Sequence, residues 1–298
     1  MSKIDVIILG TSGAAPSSDR GLSSVAIRYN GSILLMDCGE GTQRQMLIYG
    51  LNISKVKHIF ITHIHCDHVL GVAGLVRTLS LYGRTSPLNI YVPKGFESSI
   101  RSIIEFDKAI IRYQINVVGV GSCDVVREDG FTVRAFKLNH SVPAYGYAFR
   151  EDDRIHFDEK RARALGVKGK MFSEIMKRKS KIINGKRVRL DEISERTPGR
   201  VIIYAADTRP SPSTIRMAAN SDLLIHDSTF CDGEAKLAKE RKHSTSREAA
   251  TVAKRAKAKR LILTHISTRY RDTAQLLKEA RSVFKNTDLA DDGMLIQV

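Results

Sequence analysis

The chain has 298 residues, 42% of them hydrophobic, and a formal net charge of +16 from 48 Lys and Arg residues against 32 acidic ones. These values are ordinary for a globular protein with a sizeable core, and the charge favours a polyanionic partner. No stretch reaches the ~18 consecutive apolar residues of a membrane-spanning helix, so we expect no membrane association. The N-terminus lacks a signal-peptide pattern and the four cysteines show no paired spacing, which favours a cytoplasmic protein without disulfides.

Apolar runs rich in β-branched residues predict strands along most of the chain. In chain order, strands are expected at residues 4–9, 24–29, 33–36, 56–62, 89–92, 131–138, 145–149, 201–204, 222–226 and 260–263. Apolar residues at helical spacing predict helices at residues 69–81, 171–176, 212–219 and 246–257. Early antiparallel pairs followed by βαβ units indicate a single α/β domain, in which two mixed sheets pack face to face with helices outside.

Positive charge is concentrated in residues 160–189, which hold twelve Lys or Arg residues and one acidic residue, a net of +11. The rest of the chain therefore carries only +5. The segment has few large apolar residues, so we expect residues 150–195 to form an inserted basic arm without a core of its own. Such an arm favours contact with nucleic acid, and the alternative is a solvated or disordered loop.

A six-residue cluster, His63-Ile64-His65-Cys66-Asp67-His68, lies between the predicted strand at 56–62 and the predicted helix at 69–81. Imidazole nitrogens and carboxylate oxygens are ligands that zinc prefers, and a strand-to-helix turn lets them converge. Because one zinc takes about four ligands, four donors in one turn indicate two ions. We expect Cys66 to be a packed thiol. The alternative is a His-rich surface loop without metal.

Three further donors follow predicted strands, which is where open sheets place their sites. They are His140, Asp207 and His265. Together with the cluster they complete a set of seven candidate metal ligands. His226 also ends a strand and is interpreted as structural, whereas the neighbouring Asp227 is expected to orient another side chain.

Several other motifs accompany these donors along nearly the whole chain. They are residues 9–16 (Leu-Gly-Thr-Ser-Gly-Ala-Ala-Pro), 37–43 (Asp-Cys-Gly-Glu-Gly-Thr-Gln), 207–210 (Asp-Thr-Arg-Pro), 242–245 (Lys-His-Ser-Thr) and 264–270 (Thr-His-Ile-Ser-Thr-Arg-Tyr). The His-x-His-x-Asp-His motif alone is typical of the metallo-β-lactamase superfamily. In combination, the motifs resemble the ribonuclease Z family, whose members trim the 3′ end of precursor tRNA.

The resemblance implies a metallo-β-lactamase-type αβ/βα four-layer sandwich that binds two Zn²⁺ per subunit. By that resemblance His63, His65 and His140 hold one zinc, Asp67, His68 and His265 hold the other, and Asp207 bridges them. It also implies a homodimer, in which the basic arm grips the elbow of precursor tRNA and usually reaches the partner subunit. The implied products are a tRNA with a 3′ hydroxyl and a trailer with a 5′ phosphate.

The expected reaction is hydrolysis of an RNA phosphodiester, with Asp67 accepting a proton from water as well as ligating metal. His243 is an imidazole beyond the metal set and is the expected proton donor to the leaving 3′ oxygen. Its alternative is a surface histidine in a polar loop. Ser12 and Arg269 are expected to hold phosphate. The arm residues expected to contact tRNA phosphates are Lys168, Lys170, Lys177, Arg178, Lys179 and Lys181.

Two other classes of function remain open from the sequence. One is another hydrolase of the same fold, such as an exonuclease, a flap nuclease or an enzyme of small molecules, because the metal ligands fit all of these. The other is an RNA-binding module without catalysis, which predicts a degraded metal site. The donor set also does not distinguish zinc from manganese or iron.

Overall fold

A computed structural model describes residues 3–108 and 110–298. The chain divides into two compact units, the first formed by residues 1–149 and 201–298 and the second by Arg150–Arg200. Within the described residues, no helix combines the length and the apolar character needed to cross a membrane.

In the part of the chain that the structure describes, the first element is a strand that begins at Ile4, and strands and helices follow in mixed order. The strands are β1 (Ile4–Gly10), β2 (Ser12–Gly13), β3 (Ser24–Tyr29), β4 (Ser32–Met36), β5 (Val56–Phe60), β6 (Leu88–Pro93), β7 (Ile115–Val120), β8 (Asp124–Glu128), β9 (Phe131–Lys137), β10 (Tyr145–Glu151), β11 (Arg154–Phe157), β12 (Ser180–Ile183), β13 (Lys186–Arg189), β14 (Ser194–Thr197), β15 (Val201–Ala205), β16 (Leu223–Asp227), β17 (Leu261–Thr264), β18 (Ile266–Ser267), β19 (Thr287–Leu289) and β20 (Leu295–Gln297). The helices are α1 (Thr42–Ile48), α2 (Cys66–Val69), α3 (Gly71–Leu81), α4 (Glu97–Glu105), α5 (Glu159–Ala164), α6 (Met171–Arg178), α7 (Pro212–Met217), α8 (Ala235–Arg241), α9 (Ser246–Ala256) and α10 (Ala274–Arg281).

Two seven-stranded mixed sheets form the first unit, with strand orders β20-β1-β3-β4-β5-β6-β7 and β19-β17-β16-β15-β10-β9-β8. In the first sheet β1, β3 and β4 pair antiparallel, and β4 to β7 pair parallel. In the second sheet β15, β16, β17 and β19 are parallel, and β8 and β9 are antiparallel. Parallel strands place their carboxyl ends at one edge of each sheet, and that edge carries the candidate ligands.

Most central strands are buried on both faces, which explains their continuous apolar sequences. In β1, Val6 and Ile8 belong to the core between the sheets, whereas Ile7 and Leu9 belong to the core under helices α1, α3 and α4. A third core joins the second sheet to helices α7, α9 and α10. The layers are therefore helix, sheet, sheet and helix, which confirms the predicted fold class.

Local sequence signals define where helices α9 and α7 begin. Helix α9 begins with a capping box, in which the Thr245 hydroxyl accepts from the Glu248 N–H and the Glu248 carboxylate accepts from the Thr245 N–H. Helix α7 begins with Ser211 as N-cap and Pro212 in the first turn, where a missing N–H costs nothing.

The second unit has its own small fold, which contradicts the expectation that the basic arm lacks a core. Strand β11 pairs with β14 and β12 with β13, all antiparallel, and helices α5 and α6 accompany them. Its buried apolar cluster contains Ala162, Val167, Ile175, Ile183, Val188, Leu190 and Ile193. These residues are spread along a segment rich in Lys and Arg, so they form a core only after the hairpins and helices bring them together.

Candidate metal centre

The His-rich turn follows β5 and continues into helix α2, as the sequence predicts. The seven candidate ligands converge into two groups that share Asp207, and within each group the potential ligand atoms lie within 4.8 Å of one another. One group is His63, His65, His140 and Asp207, and the other is Asp67, His68, Asp207 and His265. Cys66 belongs to neither group and is exposed, which corrects the expectation of a packed thiol.

Three buried polar atoms in the second group have no hydrogen-bond partner among the described residues. They are Nε2 of His68, Nε2 of His265 and Oδ1 of Asp207. The two nitrogens lie 3.3 and 3.0 Å from that oxygen, close enough for attraction but without the geometry of a hydrogen bond. Leaving such atoms unpaired costs about 1–3 kcal/mol each, whereas a cation between them would satisfy all three. The residues present therefore fit a bound metal.

The first group is packed equally closely. Nε2 of His63 lies 2.9 Å from Nδ1 of His65 and 3.6 Å from Oδ2 of Asp207. Nε2 of His140 lies 3.5 Å from the same His65 nitrogen. Burial lowers the pKa of His63 and of His140, so both imidazoles are neutral and able to donate a lone pair to a metal.

In two of the ligand imidazoles, His68 and His265, Nδ1 is held by a buried polar side chain. Nδ1 of His68 lies 2.8 Å from Oδ2 of Asp37, a fully buried carboxylate that also accepts from the Thr62 N–H (2.7 Å) and the Tyr204 hydroxyl (3.0 Å). Nδ1 of His265 lies 3.0 Å from the Thr229 hydroxyl. These contacts fix which nitrogen faces the centre, as outer-shell partners do in metal sites.

The backbone is strained where the chain leaves its strands at the site. Asp37, Asp207 and His265 have φ values of 60°, 49° and 61°, in the left-handed region that non-glycine residues rarely adopt. Each such residue costs about 1–3 kcal/mol, and such strain concentrates at functional sites. Here two of the three residues are candidate ligands, and the third, Asp37, contacts the ligand His68.

Asp67 is held ionised by its neighbours. Burial alone would raise the pKa of its carboxyl, but the imidazoles of His265 and His68 outweigh burial and lower it below the usual range. The backbone N–H of Ala14 also donates to its Oδ2 at 2.9 Å. An ionised carboxylate in this position is suited to ligation.

His243 lies beside the ligands and pairs with Asp227, with 2.9 Å between Nδ1 and Oδ2. Burial alone would lower the pKa of this imidazole, but the Asp227 carboxylate outweighs burial and raises it to about 9. His243 is therefore charged and able to donate a proton at neutral pH. The prediction that Asp227 orients a neighbour is confirmed, and buried His226 makes only a backbone contact to Asp227 through Nδ1, at 2.8 Å.

Asp227, His243 and His265 together form a further group with donor atoms close enough to hold an ion. The imidazole nitrogens on this side are already engaged, because Nδ1 of His243 faces Asp227 and Nδ1 of His265 faces Thr229. We therefore interpret this group as an orienting network around His243 and His265.

A cleft of about 540 Å³ opens onto the metal centre and is the natural place for substrate. Arg269 lines it, with Cζ 4.9 Å from the centre of the Phe230 ring and an ion pair to Glu234. Ser12 is buried, and its hydroxyl donates to the Ala15 carbonyl at 2.6 Å. The structure thus brings Arg269 and His243 together with the ligands at the cleft. The Ser12 hydroxyl, expected to hold phosphate, is instead hydrogen-bonded within a turn.

Within the second unit, the predicted phosphate contacts lie mostly on the surface. Lys181 is half-buried and pairs with Glu174, and the others are exposed: Lys168, Lys170, Lys177, Arg178 and Lys179.

Outer-shell residues are the part of the site that the sequence pattern did not indicate. Asp37 occurred only as part of a family motif, and Thr62 and Thr229 carried no signal beyond being polar residues next to predicted strands. A buried polar residue directly after an apolar strand is the feature that could have identified them.

Two family models match separate parts of the chain. Residues 4–172 match the model described as Anti-Pycsar protein Apyc1, which spans more than half of the chain, and residues 187–266 match the Beta-lactamase superfamily domain. The first match places the chain among the sequences that this model describes, and the second agrees with the observed four layers.

Several curated relatives match along the full length. A protein named Ribonuclease Z from Methanothermobacter thermautotrophicus is 43% identical over 99% of this chain and 97% of its own. Another of the same name, from Archaeoglobus fulgidus, is 40% identical over 98% of this chain and 97% of its own. Among solved structures, the short form of human tRNase Z is 30% identical and covers 98% of each chain, with a TM-score of 0.71. By full-length identity, the chain is an enzyme of the ribonuclease Z family.

Proposed function

We propose that the chain is a zinc-dependent endoribonuclease that removes the 3′ trailer from precursor tRNA, leaving a 3′ hydroxyl on the tRNA and a 5′ phosphate on the trailer. The observation that carries this proposal is the pair of four-donor groups sharing Asp207, with the charged imidazole of His243 beside them. Full-length relatives named Ribonuclease Z support the same reaction class.

We assign one Zn²⁺ to His63, His65 and His140 and a second to Asp67, His68 and His265, with Asp207 shared. Nitrogen-rich donor sets favour zinc over magnesium or calcium. Two such ions supply an activated water at neutral pH and offset the charge that develops on phosphoryl oxygens.

The protein's own groups then handle the protons and the substrate. Asp67 is ionised and is assigned as the acceptor of the proton that the attacking water loses. His243 is charged and is assigned as the donor that protonates the leaving 3′ oxygen, so that this oxygen departs as a hydroxyl. Arg269 lines the cleft and is assigned to hold a phosphate near the cut.

We assign the second unit to tRNA binding. Its exposed Lys and Arg residues would contact backbone phosphates, which gives salt-dependent affinity that follows the shape of the tRNA and not its bases. We also propose a homodimer, because exposed Leu47 and Leu70 line a groove between helices α1 and α3 that a second copy would cover. The four free cysteines favour the reducing cytoplasm as the location.

Cleavage of a 5′-labelled precursor tRNA that carries a 3′ trailer tests the proposal. The wild type, Asp67→Ala and His243→Ala are compared, with metal content measured on each protein. We expect one product that ends at or next to the discriminator base. Asp67→Ala should lose both metal and cleavage, whereas His243→Ala should keep its metal and cleave slowly.

Stepwise shortening from the 3′ end by a zinc-loaded protein would contradict the proposal and favour an exonuclease of the same fold. Loaded metal with no cleavage would favour a hydrolase of small phosphodiesters, which the cleft volume also admits.

A further inference from the structure

We propose that Arg209 is a positioning residue for His243: its guanidinium fixes the main chain of the His243 loop so that the imidazole meets the leaving oxygen. The inference rests on the proposed function, because it takes His243 as the proton donor. It adds a residue that touches neither substrate nor metal and that acts through main-chain hydrogen bonds.

The guanidinium of Arg209 binds the His243 loop directly. Its Nη1 donates to the His243 carbonyl at 2.7 Å and to Oε2 of Glu248 at 2.6 Å, and its Nη2 pairs with Oε1 of Glu248. The side chain of Arg209 is only 17% exposed, so solvent screens these contacts weakly. A planar guanidinium that binds a carboxylate in this two-pronged manner has little freedom to rotate.

Glu248 is itself fixed by helix α9. Its carboxylate accepts from the Thr245 N–H at 2.9 Å, and its own N–H donates to the Thr245 hydroxyl at 3.2 Å. Arg209 therefore connects the His243 carbonyl to the rigid first turn of a helix.

The main chain of Arg209 is hydrogen-bonded to the loop that carries the ligand His140. Its N–H donates to the Asn139 carbonyl at 2.9 Å, and the Asn139 N–H donates to the Thr208 hydroxyl at 3.0 Å. Asn139 precedes the ligand His140, and Thr208 follows the ligand Asp207. One residue thus connects the loops that carry two ligands and the proton donor.

Arg209 adds a restraint on the carbonyl side of His243, beyond the one that Asp227 places on its ring. Asp227 holds one nitrogen, Nδ1, and Nε2 makes no hydrogen bond within the described part of the chain. The Asp227 hydrogen bond sets the direction of the ring, whereas the position of its α-carbon depends on main-chain contacts: the His243 N–H donates to the Ala238 carbonyl at 2.8 Å, and the His243 carbonyl accepts from Arg209. The preceding Lys242 has φ of 63°, and the Ser244 hydroxyl donates to the Thr208 carbonyl, so the loop is held on several sides.

Loss of the Arg209 contact should slow the transfer of a proton from His243 to the leaving oxygen, and this matters only for a leaving group that needs the proton. As the water oxygen bonds to phosphorus, the bond from phosphorus to the 3′ oxygen breaks, and the Nε2 proton of His243 moves to that oxygen. The imidazole becomes neutral and regains a proton from solvent. A sugar alkoxide is a strong base and needs this proton, whereas p-nitrophenolate is a weak base and departs without it.

The test compares precursor tRNA with bis-p-nitrophenyl phosphate for the wild type, Arg209→Lys and Arg209→Ala. We expect kcat on precursor tRNA to fall about 10- to 100-fold, since a displacement of about 1 Å at a catalytic group costs that much. KM for precursor tRNA, metal content and turnover of bis-p-nitrophenyl phosphate should stay within about twofold of the wild type, because Arg209 touches neither ligand nor substrate. Arg247→Lys is the matched control: Arg247 neighbours Glu248, pairs with Asp232 and does not contact His243.

The double variant Arg209→Lys/His243→Ala separates a positioning role from a general one. We expect it to be no slower on precursor tRNA than His243→Ala, because the restraint has nothing left to position. An equal loss on both substrates, or effects that multiply in the double variant, would overturn the role of Arg209. If His243→Ala lost activity equally on both substrates, the assignment of His243 as proton donor would fail, and the inference with it.

Discussion

The α-carbon of Gly13 packs directly against the imidazole of His265. A methyl group built on Gly13 would lie 2.6 Å from Cε1 and 2.7 Å from Nδ1 of that ring. The contact is fixed by the pairing of β2 with β18, in which Ser267 lies opposite Gly13. The glycine is needed here for space, because an N-terminal turn abuts a ligand of the metal centre.

Replacement of Gly13 by alanine should therefore displace His265 and weaken the metal group to which it belongs. We expect the purified Gly13→Ala variant to hold about one metal ion less per chain and to cleave precursor tRNA at least about tenfold more slowly, by analogy with the loss of a supporting group. Metal analysis by mass spectrometry, together with the melting temperature, measures this. Gly121→Ala is the control, since a methyl group on Gly121 meets nothing within 4 Å; the same metal loss there would argue against the contact.

Asp37 should control metal affinity without touching the metal. Asp37→Asn keeps the shape of the side chain but removes the charge that faces Nδ1 of His68. The Thr62 N–H and the Tyr204 hydroxyl donate to Asp37, so the new amide N–H group would face donors and find no acceptor. We expect metal affinity to fall about 10- to 100-fold and the metal-free protein to lose about 1–3 kcal/mol of stability. Metal titration and urea unfolding measure the two effects.

Asp5→Asn is the matched control for Asp37→Asn. Asp5 is also a buried carboxylate of the first sheet, but its partners are Arg28 and Lys3. Its variant should lower stability and leave metal affinity unchanged. Equal loss of metal affinity in both variants would show that general loosening of the sheet, and not the His68 contact, is responsible.

The positions of the metal ligands could be predicted because they follow strands that the sequence shows clearly as short apolar runs. Strand β5 is a short β-branched run before the His-rich turn, and β15 and β17 are apolar runs that precede Asp207 and His265. A parallel sheet brings such positions to one edge whatever the details of packing.

Other parts of the structure depend on contacts that no local pattern encodes. Asp37 meets Tyr204 from a strand of the other sheet, 167 residues away along the chain. Helix α4 buries only Ile100 and Ile104, which is too few apolar residues to define a helical period. The core of the basic arm could not be predicted either, because its buried apolar residues are spread along a segment rich in Lys and Arg.

The rate of precursor tRNA cleavage should fall at alkaline pH, because His243 must be protonated to donate a proton to the leaving oxygen. Asp227 raises the pKa of His243 to about 9, so the protonated form predominates below that pH and is lost above it. Bound cations repel the imidazolium and lower this pKa, which places the alkaline limb of the loaded enzyme below about 9. Asp227→Asn removes the charge that raises the pKa and should move the limb to lower pH. Initial rates from pH 6 to 10 measure it; an unmoved limb would assign it to another group.

Salt dependence should reveal the phosphate contacts of the arm. Lys177, Arg178 and Lys179 are exposed at the end of helix α6. Their replacement by glutamine should weaken tRNA binding and reduce the slope of log K against log salt by about one for each phosphate that the variant no longer neutralises. Turnover of bis-p-nitrophenyl phosphate should not change, because that substrate is too small to need the arm.

The chain offers a matched control for this triple variant. Lys254, Arg255 and Lys257 are exposed at the end of helix α9, and both helices end on a lysine with positive φ. Glutamine at those three positions removes the same charge. If the two triple variants changed the salt slope equally, the effect would come from net charge and not from the arm.

The small core of the arm allows its fold to be tested apart from its charge. Ile175 is fully buried among the apolar residues of the second unit, and Ile175→Ala leaves a cavity that typically costs about 2–5 kcal/mol. A unit with so few buried residues has a small free energy of unfolding, so we expect the second unit of the Ile175→Ala variant to unfold locally. Limited proteolysis should then cut within residues 150–200, and KM for precursor tRNA should rise while bis-p-nitrophenyl phosphate turnover persists. Ile182→Ala, at a position 64% exposed in the same unit, should behave as the wild type. Loss of both activities in Ile175→Ala would mean that the arm and the catalytic unit fold together.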